Sequence, residues 1–193
     1  MKAKRNLAMV LTALLVIVAT GTVAWDSPGP DSKECGLIGT WYGHAYSSLK
    51  WLAVQTAGSK DARNGEMLLN WVYVSGSLLH VKGASINYSN VTHMTPGHGV
   101  WEQIDKGPYR YGKGQYNYTW YAYGLNASGN VVYSLRVRGL AKNTDCDNVA
   151  IDFTYEVFDG LVLPQDMSES TPVFTIQSEP GNSGETRVPL VTP

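Results

Sequence analysis

The sequence predicts an all-β domain, a meander closing into a barrel or a two-layer sandwich. Three observations carry that prediction. The chain holds 6 Trp, 12 Tyr, 3 Phe and 20 Gly in 193 residues, while only 16% of residues are charged; this mixture suits pleated strands and tight turns better than a helical bundle. About eight short β-prone segments follow one another, with loops rich in Gly, Asn and Asp between them. No window of useful length repeats apolar residues at a helical period.

The first segment reads as an export signal. Residues 1–6 are basic, residues 7–19 form an apolar run broken only by Thr12, and Thr22, Val23 and Ala24 place small residues before a cut after Ala24. That is the three-part layout of a secretory signal over residues 1–24. The rival is an uncleaved anchor, since residues 7–24 are just long enough to span a bilayer; membrane contact is expected only in that case. No cysteine lies at the cut, which argues against a lipid anchor. Cleavage leaves 169 residues, one domain's worth, and removes Lys2, Lys4 and Arg5, so the net charge falls from −1 to −4. A mildly acidic domain has no electrostatic footprint for nucleic acid. The expected location is periplasmic or extracellular.

Residues 25–36 are a linker rich in Pro, Gly, Ser and Asp, and residues 37–163 are the β domain. Cys35 and Cys146 lie near its two ends, and in an oxidising compartment such a pair is usually a disulfide. It would close an interval of 111 residues, which the loop-entropy model values at roughly 4–5 kcal/mol.

Strands are expected at residues 39–47, 50–56, 66–74, 77–82, 99–104, 115–123, 130–138 and 148–158, with residues 84–96 irregular. The later strands alternate cleanly. Val131, Tyr133, Leu135 and Val137 share one face, opposite Ser134, Arg136 and Arg138. Val149, Ile151, Phe153, Tyr155 and Val157 share another, opposite Asp152, Thr154 and Glu156. One apolar and one polar face is the pattern of a half-buried antiparallel sheet. Arg136 and Arg138 are therefore placed to meet Asp152 and Glu156 across a hairpin, as a solvated ladder or, alternatively, as the lining of a wet cavity. From residue 164 onward Pro, Ser, Thr and Gly dominate, so residues 164–193 are expected to be a flexible tail in which only residues 173–176 pair.

Gly39-Thr40-Trp41 opens the first strand directly after the linker. Gly97-His98-Gly99-Val100-Trp101 follows later, then an aromatic strand ending at Tyr123, an Asn/Gly turn, Val131–Gly139 and Phe153–Asp159. This order resembles the lipocalins and the wider calycin group, and in particular small secreted bacterial lipocalin-like barrels, most of which have no assigned function. The resemblance covers roughly residues 37–160. It implies a single antiparallel up-and-down barrel of about eight strands. It also implies that Trp41 packs across the closed end, with Trp101 as a second structural tryptophan. The chain lacks a T-D-Y type motif and a C-terminal helix. Similar small barrels include allene oxide cyclase and dirigent-like proteins, so the fold alone does not choose between carrier and catalyst.

The aromatic block is the main candidate site. Tyr116, Tyr118 and Trp120 share one strand face, Tyr121 and Tyr123 the other, and Trp71 and Tyr73 join from an earlier strand. Core packing, a cavity for a flat apolar ligand and an exposed platform for sugar rings are the three readings. The ligand-binding set expected for a cavity is Trp71, Tyr73, Tyr118, Trp120 and Arg136. The ligand class expected is a small apolar or aromatic molecule. A cofactor-free isomerase or cyclase on the same barrel would use Tyr118, Arg136 and Glu156. No metal or cofactor is expected: His44, His80, His93 and His98 match no ligand spacing, and nucleophile elbows, zincin motifs and phosphate loops are absent. Four sequons begin at Asn87, Asn90, Asn117 and Asn126; they matter only where exported proteins are glycosylated.

Overall fold

The computed structural model describes residues 36–58, 63–105, 114–179 and 181–189. The expected signal segment and Cys35 lie outside the described residues. The elements are β1 (Gly39–Ala45), β2 (Leu49–Gln55), β3 (Asn64–Val74), α1 (Gly76–Leu79), β4 (Val91–Met94), β5 (Gly97–Asp105), β6 (Gln115–Asn126), β7 (Val131–Asn143), β8 (Asn148–Asp159), β9 (Phe174–Gln177) and β10 (Ser183–Arg187). Eight of these, β1, β2, β3, β5, β6, β7, β8 and β10, pair antiparallel in chain order. β10 pairs with both β8 and β1, so the sheet is a closed up-and-down barrel. β4 pairs with the far end of β6, and β9 with the second half of β8.

Alternation decides which side each residue faces. In β2, Leu49, Trp51, Ala53 and Gln55 are buried and the residues between them exposed. Small residues make room for the large rings inside. A Cβ at Gly43 would coincide with the Trp51 indole, and one at Gly139 would lie 2.8 Å from the Tyr118 hydroxyl. At one end Trp41 is fully buried, its Nε1 donating to the Leu37 carbonyl at 2.7 Å. The Arg187 guanidinium lies 4.3 Å from the Trp41 ring centroid, a cation–π contact. Its nitrogens also donate to the carbonyls of Gly36, Ile38 and Cys146 at 2.7, 2.9 and 3.1 Å. Trp101 is buried near this end, donating to the Thr56 carbonyl at 3.2 Å and meeting Tyr116 edge-on. Cys146 is disulfide-bonded; the chain's only other cysteine is Cys35.

The other end is covered by the segment between β3 and β4. Val81 and Tyr88 are buried there, Tyr88 packs edge-on against Tyr133 at 5.3 Å, and the Tyr133 hydroxyl donates to the Leu79 carbonyl at 3.1 Å. This corrects the strand expected at residues 77–82. The Ser75 hydroxyl accepts from Leu78 N and starts one helical turn instead, which sends Leu78 and Leu79 back onto the core.

The larger correction concerns the tail. Its described residues, 164–179 and 181–189, are not a flexible appendage to a domain ending at 163, because β9 and β10 lie within them and β10 closes the barrel; residues 180 and 190–193 lie outside the described residues. Before β9, the chain crosses the outside of β7 and β8 as a strap. Met167 is fully buried beneath it, together with Ser134, Glu156 and Phe158. The Ser134 hydroxyl donates to Gly160 O and accepts from Val162 N, both at 2.8 Å, which pins the start of the strap.

Candidate functional site

Large side chains nearly fill the barrel interior. What remains is an internal cavity of about 30 Å³, lined by residues including Trp51, Gln55, Met67, Tyr118, Trp120, Ile151 and Glu185. That volume holds one or two waters, against about 150 Å³ for a void that takes benzene. A second pocket, of about 220 Å³, opens where the β1–β2 turn, α1 and β9 meet. Ala45, Leu49, Phe153 and Tyr155 line both spaces, so the pocket is a mouth whose floor is the wall of the inner cavity. Leu78 and Ile176 add apolar wall, and Ser77, Ser48, Tyr46 and Lys82 form its polar part.

Among the described residues one acid faces the interior. Glu185 points inward from β10, 4% exposed. Trp51 Nε1 donates to its Oε1 at 2.6 Å and Gln55 Nε2 to its Oε2 at 3.1 Å. Burial pushes the carboxyl from 4.5 up to about 7, and the two donors pull it partly back. The buried Gln55 Oε1 has no hydrogen-bond partner. Tyr118 lies beside this group. Its phenol is raised well above 10, first by burial and then by the negative charges of Glu185 and Asp152, and its hydroxyl donates to the Asp152 carbonyl at 3.3 Å.

The expected ligand set is not brought together. Tyr118 and Trp120 line the inner cavity. Trp71 sits half-buried near the covered end, donating to the Thr95 carbonyl at 2.6 Å and packing 5.2 Å from Trp120, and does not line it. Tyr73 is 50% exposed. Arg136 faces outward, because the inward phase of β7 is Tyr133, Leu135, Val137 and Ala141. The polar faces of β7 and β8 thus line no internal cavity. Arg136 Nε and Arg138 Nη2 both bond Glu156, at 2.7 and 2.9 Å. The ladder is only half solvated, since Glu156 is covered by the strap and Arg136 donates to the Met167 carbonyl at 3.1 Å. No tryptophan is exposed among the described residues. No cluster of three metal-ligating side chains occurs among them either.

Glu185, Gln55, Phe153 and Tyr155 were not singled out as site residues by the sequence. Gln55 carried a readable signal: it continues the inward phase of Leu49, Trp51 and Ala53, and a polar side chain in that phase must find a polar partner inside. Comparison with family models, curated proteins and solved structures returned no match, so the class of the protein rests on its own topology: a closed eight-stranded antiparallel barrel with one internal carboxyl and one apolar mouth pocket.

Proposed function

We propose that this protein is an exported lipocalin-like barrel that binds a small apolar or aromatic molecule, with the apolar body of the ligand in the mouth pocket. The observation that supports it is the apolar pocket of about 220 Å³ at the barrel mouth, larger than a benzene-sized void of about 150 Å³. The basic–apolar–small layout of residues 1–24 and the cysteine pair support export. The outward direction of Arg136 and Glu156 weighs against a cyclase or isomerase built on them. The absence of exposed tryptophan among the described residues weighs against a stacking platform for sugars.

Ser77 supplies the test, because it is exposed yet lines the pocket. Ser77→Trp fills the space from outside without entering the core. In calorimetric titrations with indole and toluene, the wild-type protein is expected to bind and Ser77→Trp to lose at least tenfold in affinity while keeping its melting temperature. Equal binding by both proteins would place any ligand elsewhere.

A further inference from the structure

Resting on the small-molecule reading above, we infer that the ligand is an amine: an apolar or aromatic body in the mouth pocket and a protonated amino head in the inner cavity, held by Glu185 and Gln55. Size supports the division. The inner cavity of about 30 Å³ suits one water-sized polar group, whereas the mouth pocket of about 220 Å³ suits a ring or short chain. The two share Ala45, Leu49, Phe153 and Tyr155 as walls, so a ligand with a short spacer between head and body reaches both spaces by displacing these side chains.

The chemistry of the inner cavity selects the head. At Glu185 and Gln55 the unfilled capacity is acceptor, and the Tyr155 hydroxyl, which lines the same cavity and also lacks a partner, can accept as well as donate. Glu185 is already given two donors, by Trp51 and Gln55, and a carboxylate accepts more than two. Gln55 has turned its amide nitrogen to Glu185, leaving Oε1 buried and without a donor. An ammonium head carries three donors and no acceptor. It would also meet the aromatic side chains of Trp51, Trp120 and Tyr118, which line the same space and favour a desolvated cation. A carboxylate head would meet a like charge at Glu185 and a bare acceptor at Gln55.

The pH dependence follows from the charges around the site. From β6 the titratable group facing Glu185 is Tyr118, whose phenol stays neutral across the working range. From β2 come the neutral Trp51 and Gln55, and from β8 the apolar Ile151 and the neutral Tyr155. Arg187, on the same strand, is engaged with Trp41 and three carbonyls. Lys82 stands on the mouth pocket. Glu185 is therefore the group that switches, at about 7, and amine affinity rises as pH passes through that value.

The experiment is calorimetric titration of the whole protein with 2-phenylethylamine, 2-phenylethanol and phenylacetate at pH 8 and pH 5.5. The amine is expected to bind at least tenfold more tightly than the alcohol at pH 8 and to lose most of that preference at pH 5.5. Glu185→Gln is expected to abolish the preference for the amine over the alcohol. Should that variant fail to fold, Gln55→Leu, which keeps the carboxyl, is expected to cut the preference several-fold. Alcohol binding as tight as amine binding, or a preference untouched by either variant, overturns the amine assignment and leaves the small-molecule reading standing. Tightest binding of phenylacetate, lost in Lys82→Ala, moves the head group to the rim and also overturns it. No binding by any of the three probes, nor by indole or toluene, overturns both.

Discussion

A carboxyl inside an aromatic barrel is the most consequential single residue of this protein. Glu185 gives up its proton near 4.5 in the unfolded chain but keeps it to about 7 in the folded one. Across that window the unfolded state binds fewer protons, so the contribution of Glu185 to stability is fully present below pH 4.5, is lost as pH rises to 7 and then levels off. The span corresponds to about 3 kcal/mol. Urea unfolding at pH 4.5 and pH 8 is expected to show that loss in the wild type and much less of it in Glu185→Gln; parallel losses in both proteins would remove Glu185 as the cause. Trp51 depends on its neighbour in the same way. Gly43→Ala would push a methyl group into the indole, a strain of about 1–3 kcal/mol. The variant is expected to melt several degrees lower and to show altered tryptophan emission as Trp51 leaves Glu185.

At the scale of elements, the closing strand is the one whose loss matters most. A chain ending at residue 182 lacks β10 and with it the partners of both β1 and β8. It is expected to lose its cooperative thermal transition and to bind a hydrophobic dye, read by circular dichroism and fluorescence. A cooperative transition retained in that chain would show that closure is dispensable. The reason β10 was not legible in the sequence is physical. Its inward residues are Ser183, Glu185 and Arg187, with Gly184 and Thr186 between, so the usual apolar-in, polar-out signal is absent. It reads as tail because no strand propensity or apolar phase marks it. By contrast, β7 and β8 carry two-residue periods from which their faces were readable; the pairing was only partly so, since Arg136 lies opposite Glu156 as expected while Asp152 lies opposite Leu140 and meets neither arginine. The segment at 77–82 misled for the opposite reason: its leucines suit a strand, but Ser75 caps a helical turn, and the choice depends on a tertiary contact with Tyr133. Of the candidate site, the aromatic lining was legible in Tyr118 and Trp120. The acid was not, and the mouth pocket is formed by β1, α1, β8 and β9 together, which no local pattern displays.

At the scale of the molecule, the two ends of the described chain converge on one place. Arg187 ties the residues before β1 to the β7–β8 loop through Gly36, Ile38 and Cys146. A Cys35–Cys146 disulfide, proposed here from the bonded state of Cys146 and the presence of one other cysteine, would lock the same junction. The intact mass of the protein purified without reductant is expected to be about two hydrogens below that of the reduced chain. Reduction should remove roughly 4–5 kcal/mol of stability by the loop-entropy model, less if the native bridge is strained; an unchanged denaturation midpoint after verified reduction would count against any such bridge. The placement of β10 has one further consequence, which concerns how the protein is made. Synthesis runs from the N-terminus, and the strand that seals the sheet, β10, is made after all the strands it joins. Until then β1 and β8 are two open edges of a long, aromatic-rich sheet, with the internal carboxyl missing and the interior unsealed. A chain in that condition cannot complete its fold, and its two open edges invite pairing with other chains until β10 arrives.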